Sequence, residues 1–165
     1  MSAWFSRFQM TSAPAAVILI RLLAGGVFLE EGLQKFLFPE LMGAGRFARI
    51  GIPAPQVMGP FVGTVEILAG SLLLLGLLTR PAAIALLINI TVAILSTKIP
   101  ILLGRGYWLF HLAKLPRYGP WAMLSEARAD FSMFLSTLFL LIIGAGRWSL
   151  DGLLWGSRGR RKSVR

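Results

Sequence analysis

The chain has 165 residues, of which 56% are hydrophobic and 15% are charged, and it contains no cysteine. Its mean hydropathy of +0.72 excludes a soluble globular domain and a disordered chain, so we expect an integral membrane protein without disulfides or thiolate metal sites. The formal net charge is +10, but the basic residues are spread over loops and tails. We therefore expect the anionic headgroups of the lipid bilayer as the partner, and no nucleic acid.

Four apolar stretches are each long enough to cross a bilayer, which takes about 20 residues. They lie near residues 15–38, 57–78, 81–103 and 122–144. We expect an all-α fold, an antiparallel up-down four-helix bundle in the membrane, with an aromatic interfacial segment between the third and fourth helices. Residues 1–155 would form one transmembrane domain, followed by a basic tail at 156–165. The density of basic side chains in this tail predicts that both termini are cytoplasmic.

The first predicted helix carries ionisable residues in an otherwise apolar run. Arg21 lies near its start, where a long side chain reaches the headgroup level. Glu31 and Lys35 are one helical turn apart in the favourable order, which indicates an internal ion pair. Glu30 could instead share a proton with Glu66 of the next helix, because two close carboxylates in a low dielectric do not both ionise easily.

Glu66 stands in the middle of the second apolar stretch, where lipid cannot solvate a carboxylate. Gly59, Gly63, Glu66 and Gly70 are three or four residues apart and therefore share one helical face. Small residues allow a neighbouring helix to approach closely, so we expect Glu66 at a helix interface and out of the lipid. The short turn at residues 79–81 predicts that the second and third helices form an antiparallel hairpin.

The third predicted helix contains Asn89, which we expect to make an interhelical hydrogen bond, and Lys98 near its far end. The connection that follows, about residues 105–121, is rich in aromatic and basic side chains, which indicates an interfacial segment over the bundle mouth. His111, near Trp108, has two interpretations that the sequence leaves open. A single imidazole could ligate a haem or bond to a quinone carbonyl, but a lone one is more often an interfacial polar residue.

Prolines and glycines between residues 39 and 55 predict the first loop. A rise of about 1.5 Å per residue, counted from this loop, places most of the ionisable residues in one half of the bundle. The last helix must begin before its apolar run, which carries Asp130 into or near the membrane. We therefore predict a polar pocket that opens toward the first and third loops, with the aromatic connection as its lid. Its predicted members are Glu30, Glu31, Lys35, Glu66, Asn89, Lys98 and Asp130. Arg21, Trp108 and His111 are further predicted ligand-binding residues, and no metal site is expected.

Four motifs occur in order along nearly the whole chain. They are RLLAG at 21–25 followed by Phe28, Gly32 and Lys35-Phe36, then GIPAP at 51–55, then Glu66 followed by GLLTR at 76–80, and finally GAGRWSLD at 144–151. Together they resemble the opening helix, first loop, second-helix end and C-terminal close of the DoxX family. A site carried over from the family would include Arg21, Lys35, Glu66 and Asp151, although we interpret Asp151 as a structural cap after the last helix.

The resemblance implies a multi-pass protein of the bacterial-type inner membrane, in a family associated with subunits of quinol oxidase or thiosulfate:quinone oxidoreductase. The leading hypothesis is an accessory subunit that offers a pocket for quinone and a docking surface for a redox partner. No covalently bound cofactor is expected, and the chain has no zinc-protease, nucleotide-loop or serine-nucleophile motif, so we expect no autonomous catalyst. Two alternatives remain open. One is a small proton-coupled transporter or channel, which four helices allow only as a homo-oligomer or with a narrow cavity, and the other is a scaffold or assembly subunit.

Overall fold

The computed structural model describes residues 13–154, and all of its regular secondary structure in this range is helical apart from one isolated bridge. The α-helices are α1 (Val17–Leu37), α2 (Ala44–Ile50), α3 (Pro55–Leu75), α4 (Thr79–Ala93), α5 (Ile99–Leu103), α6 (Pro120–Glu126) and α7 (Arg128–Ile143). A π-helical segment, Ile94–Lys98, joins α4 to α5 without a break. The predicted all-α class is confirmed for these residues, while the basic tail at 156–165 lies outside them.

Two helical stretches in the described part of the chain are long and apolar enough to cross a membrane. They are α3, with 21 residues, and the continuous stretch from α4 through α5, with 25 residues. Helix α1 also has 21 residues, but its arginine, two glutamates and lysine lower its hydropathy. Helix α7 has only 16 residues, because the last predicted span is divided at Ala127.

Glycines on two helices bring the backbones of α1 and α3 together. A Cβ atom placed on Gly70 would lie 2.9 Å from the backbone nitrogen of Leu29 and 3.0 Å from the carbonyl oxygen of Gly25. A Cβ atom on Gly32 would lie 2.8 Å from the carbonyl oxygen of Gly63. The glycine face predicted for the second apolar stretch is therefore a contact surface, and it places the intervening Glu66 between helices.

The interior between the long helices is apolar, and much of the outer surface is apolar as well. Phe28, Leu73, Leu86 and Leu140 come from α1, α3, α4 and α7 and are completely buried in one core. These helices also contact one another in the order α1 with α3, α3 with α4, α4 with α7, and α7 with α1. Outward-facing leucine, isoleucine and phenylalanine side chains of the same helices remain largely exposed. Such a surface suits contact with lipid tails rather than with water.

Arg21 is buried among backbone carbonyl groups at the end of the molecule where α3 and α7 finish. Its Nε donates a hydrogen bond to the carbonyl oxygen of Leu73 at 2.8 Å, and its Nη2 donates one to Leu74 at 2.6 Å. Nη1 donates to the carbonyl oxygens of Ala145 at 3.3 Å and Trp148 at 2.5 Å. Arg21 therefore stabilises helix ends. It is 2% exposed and does not snorkel to the headgroup level as the sequence suggested, and its role in ligand binding stays a prediction.

Asp151 stabilises the start of α4 at the same end of the molecule. Its Oδ1 accepts a hydrogen bond from the backbone N–H of Leu78, and its Oδ2 accepts one from that of Thr79, each at 2.9 Å. These are backbone donors at the beginning of a helix, which have no partner within the helix itself. The sequence correctly indicated a structural cap, but the capped helix is α4 and not the last one.

The loops at the opposite end are more ordered than the sequence suggested. The stretch of residues 39–55, predicted as a loop, contains the short helix α2. The aromatic connection folds onto the end of this helix, because the backbone N–H of His111 donates a hydrogen bond to the carbonyl oxygen of Ile50 at 3.0 Å. Next to this contact, Gly51 has a φ of 85°, and a Cβ atom there would collide with the carbonyl oxygen of Leu109. A glycine is therefore required where the connection meets the first loop.

Candidate functional site

A cavity of about 510 Å³ opens at the end of the molecule that carries the first loop and the aromatic connection. Most of its wall is apolar, with Phe28, Ile90 and Met133 contributed by three different helices. Seven ionisable side chains also line it, together with one amide. These polar side chains are Glu31, Lys35, Arg46, Glu66, Asn89, Lys98, Glu126 and Asp130.

The first polar group in the cavity joins α1, α3 and α4. Lys35 Nζ lies 2.6 Å from Glu66 Oε2 and 3.5 Å from Glu31 Oε2. Asn89 Nδ2 donates a hydrogen bond to Glu66 Oε1 at 2.7 Å. We call Glu31, Lys35, Glu66 and Asn89 the inner cluster. The ion pair of Glu31 with Lys35 and the interhelical hydrogen bond of Asn89, both expected from the sequence, are present here.

The Lys35 and Glu66 side chains form a short, buried ion pair. Lys35 Nζ is the partner of Glu66 Oε2, and Asn89 is the partner of Oε1, so both carboxylate oxygens are contacted inside the protein. Glu66 is only 4% exposed. Because a carboxylate oxygen has more than one acceptor position, an O–H or N–H group of a molecule in the cavity could add to these contacts.

A second ion pair lies on another part of the cavity wall. Lys98 Nζ, at the end of the π-helical segment, is 3.1 Å from Asp130 Oδ2 near the start of α7. Both side chains are largely buried. Ser96 and Lys98 are buried within the π-helical segment, whose wider turn changes the direction of the residues after it. The cavity therefore has two polar groups from different helices, and apolar side chains such as Ile90 and Met133 line the same wall.

The aromatic connection contributes three consecutive cavity-lining residues, Trp108, Leu109 and Phe110. The Trp108 and Phe110 rings meet edge to face, with centroids 5.9 Å apart. His111, in contrast, is exposed and is not a lining residue, and its Nδ1 lies 3.3 Å from the carbonyl oxygen of Arg49. Of the predicted ligand-binding residues, the structure therefore places Trp108 at the cavity and places His111 and Arg21 away from it.

Glu30 is also outside the cavity, although the sequence placed it in the pocket. Its side chain is exposed and accepts a hydrogen bond from Gln34 on the outer face of α1. Successive helical residues point about 100° apart, and on α1 this turn places Glu31 on the cavity wall and Glu30 on the outer face. The predicted sharing of a proton between Glu30 and Glu66 is therefore wrong, and Lys35 takes the place of Glu30 beside Glu66.

Two charged residues of the cavity were not among the predicted site residues. Arg46 belongs to the short helix α2, in a stretch expected to be a loop, and Glu126 ends α6. The sequence shows that both segments carry a charged residue. Arg46 and Glu126 line the same cavity only because the loops fold onto the helix ends. Within residues 13–154, no group of three or more His, Cys, Asp or Glu side chains is arranged to hold a metal ion.

Comparison with known proteins gives a consistent family assignment. The family model described as DoxX matches residues 16–99, which include α1 through α4 and most of the residues that line the cavity. No solved structure gives a significant match to the chain.

Two relatives are similar over most of their length. The uncharacterized membrane protein Rv3486 of Mycobacterium tuberculosis is 50% identical over 145 residues, which cover 88% of this chain and 85% of that protein. An uncharacterized protein of Haemophilus influenzae is 30% identical over 141 residues, covering 84% of this chain and 90% of that protein. Neither name states an activity.

Proposed function

The chain belongs to the DoxX family of membrane proteins, and from this membership together with its cavity we propose that it is an accessory subunit of a quinone-linked membrane oxidoreductase. In this proposal the chain binds the quinone ring and docks a partner subunit that carries the electron-transferring cofactor. The resemblance of its motifs to the family supports the oxidoreductase association. The cavity supports the assignment of a binding role to this subunit.

The proposed arrangement in the membrane is an antiparallel four-helix bundle. Helices α1, α3, α4 with its extension, and α7 with α6 would be the four spans, and both termini would be cytoplasmic. The pairing of Gly25 with Gly70 and of Gly32 with Gly63 supports opposite directions for α1 and α3. The lipid-suited outer surface and the two long apolar helices support the membrane placement. The cavity would then open near one membrane surface, in the bacterial-type inner membrane.

The main support for the proposal is the cavity, whose wall is mostly apolar and has only a few hydrogen-bonding side chains. A quinone has an apolar ring and two carbonyl oxygens, so it suits apolar walls and N–H donors. The ammonium of Lys35 and the side-chain amide of Asn89 are donors in the inner cluster, and Lys98 is a donor in the second ion pair. The aromatic rings of Trp108 and Phe110 offer faces and edges for ring packing at the opening.

The chain's own residues would hold and orient the ring rather than exchange electrons. Glu66 positions the Lys35 ammonium and the Asn89 amide by contacting both. Its carboxylate has further acceptor positions that a hydroxyl group of the reduced ring could use. When bound, a quinone supplies the two-electron redox chemistry, and the buried position of the inner cluster limits the access of water to it.

The proposal is tested by gentle purification of the tagged chain from its native membrane. We expect a flavin-, haem- or iron–sulfur-containing subunit to co-purify, and we expect quinone reduction by the membranes to fall when the gene is deleted. Complementation with the wild type should restore the activity, and complementation with Glu66→Gln should restore it only in part. A chain that purifies without a redox subunit, and whose deletion leaves quinone reduction unchanged, would contradict the proposal.

A further inference from the structure

Three cationic side chains line the cavity, and they differ in their partners. Lys35 lies within ion-pair distance of Glu66 and Glu31, and Lys98 lies within ion-pair distance of Asp130. The guanidinium of Arg46 makes no ion pair or hydrogen bond with any residue between 13 and 154. It is therefore the one cation of this wall whose charge the described protein does not balance.

The position of Arg46 favours a guanidinium bound to an anionic ligand over one that is surrounded only by water. Its side chain is partly buried, and its neighbour Phe47 on α2 also lines the cavity. Trp108 and Phe110 add aromatic surface to the same cavity. Partial removal of a guanidinium from water has an energetic cost that a bound anion offsets, and its planar donors match the two oxygens of a phosphate or carboxylate.

The acids around the cavity leave Arg46 one alternative partner within the described protein. Glu31, Glu66 and Asp130 already contact lysines. Glu126 lines the same cavity, is exposed, and makes no ion pair with a described residue. An Arg46–Glu126 contact after a movement of α6 is therefore the rival explanation for the unbalanced charge.

We propose that Arg46 binds the phosphate group of a membrane phospholipid at the cavity opening, with part of an acyl chain against the apolar wall. The lipid is favoured over free phosphate because the surroundings of Arg46 are apolar and aromatic, and free phosphate has no apolar part to place there. Phospholipid binding is distinct from the quinone binding proposed above, and either could fail without the other. In this proposal the phospholipid binds at the opening through Arg46, and the quinone binds deeper, at the inner cluster.

The test uses the purified full-length protein in a neutral detergent, titrated with short-chain phosphatidylglycerol, with a diacylglycerol of the same chain length, and with inorganic phosphate. Bound lipid is counted by native mass spectrometry. Phosphatidylglycerol should bind about tenfold more tightly than diacylglycerol, as expected for one charge-assisted contact, and inorganic phosphate should compete only weakly. Equal binding of the two lipids by the wild type would overturn the proposal without any variant, and strong competition by inorganic phosphate would overturn the lipid assignment.

Three variants separate the site from its rival. Arg46→Gln should remove the preference for phosphatidylglycerol. Arg49→Gln is the matched control, because Arg49 is on the same helix but donates to the carbonyl oxygens of Glu40 and Leu41, so it should keep the preference. Glu126→Gln should keep or strengthen it, because removing a competing acid frees Arg46. An Arg46→Gln protein with the normal circular dichroism spectrum and an unchanged preference would refute the site, as would equal losses in both arginine variants.

Discussion

The ammonium of Lys35 lies 2.6 Å from the Oε2 atom of Glu66, on the wall of the cavity. The contact joins α1 to α3 where Gly63 allows the two backbones to approach closely. The opposite carboxylate oxygen of Glu66 accepts the hydrogen bond from Asn89, so the same acid also joins α3 to α4. The ion pair therefore joins helices and also lines the cavity, so its contribution to packing and its proposed contribution to ligand binding can be separated by experiment.

Breaking the ion pair should destabilise the protein strongly. Lys35→Met leaves the 4%-exposed Glu66 without the ammonium, and Glu66→Leu leaves Lys35 with only its more distant contact to Glu31. We expect Lys35→Met to lower the free energy of unfolding by about 3–5 kcal/mol, because a buried charge loses its ion-pair partner. Glu66→Leu should lower it by less, because Lys35 keeps its contact with Glu31. Unfolding in mixed micelles, followed by circular dichroism, measures this difference.

The double variant Lys35→Met/Glu66→Leu is the control for this interpretation. It removes both charges, so it should be more stable than either single variant. If the losses of stability in the double-mutant cycle are additive, the two side chains contribute independently. That result would contradict the ion pair.

Close packing at the glycine face predicts opposite effects for two glycines that differ in their surroundings. Gly70→Ala puts a methyl group within 3.0 Å of the α1 backbone and should cost about 1–3 kcal/mol of stability, because the helices must separate. Gly26 is on α1, and a methyl group there would meet no atom within 4 Å. Gly26→Ala should therefore be neutral or stabilising by up to about 1 kcal/mol, from helix propensity. The thermal midpoint of both variants in one detergent measures this, and equal losses would count against the packing.

Asp151 should contribute to stability but not to ligand binding, because it lies at the opposite end from the cavity. Asp151→Ala leaves the N–H groups of Leu78 and Thr79 without their acceptor. We expect a loss of about 2–3 kcal/mol, the usual range for buried hydrogen bonds to a charged group. Asp151→Asn keeps one acceptor oxygen and should lose less. Quinone affinity of the folded fraction, measured for each variant, should equal that of the wild type, and a specific loss of affinity would assign Asp151 to the site.

The second ion pair should be weaker than the first. The side chains of Lys98 and Asp130 are 11% and 18% exposed, against 7% and 6% for Lys35 and Glu66. Asp130→Asn should therefore cost about 1–2 kcal/mol, since water partly solvates the lysine that remains. Chemical unfolding of Asp130→Asn beside Lys35→Met provides the comparison, and a larger loss for Asp130→Asn would reverse the expected order.

Features that depend on neighbours along one helix could be predicted from the sequence. The bounds of the first three long helical stretches fall close to the predicted spans, while the fourth is divided at Ala127. The shared face of Gly63, Glu66 and Gly70 follows directly from helical spacing. The ion pair of Glu31 with Lys35 follows from the same rule. Counting residues inward from the first loop also predicted Lys98 and Asp130 in the same half of the bundle, where they form an ion pair, because rise per residue is nearly constant along a helix.

Features that depend on the rotation or packing of different helices could not be predicted. Depth alone did not distinguish Glu30 from Glu31, although they point in different directions. The carbonyl partners of Arg21 lie 52 to 127 residues away, so no local pattern identifies them. The π-helical segment and the short helix α2, which brings Arg46 to the opening, depend on tertiary packing in the same way.

The cavity is proposed to bind a quinone through the inner cluster. The most direct measurement is the affinity of a short-chain quinone for the full-length protein in lipid nanodiscs, followed by quenching of tryptophan fluorescence. Glu66→Gln and Glu30→Gln make the same chemical change, the first at a residue that lines the cavity and the second at a residue outside it. We predict saturable binding to the wild type, an affinity about tenfold lower for Glu66→Gln, and no change for Glu30→Gln. Absence of saturable binding to the wild type, or equal affinities for the wild type and both variants, would contradict the claim.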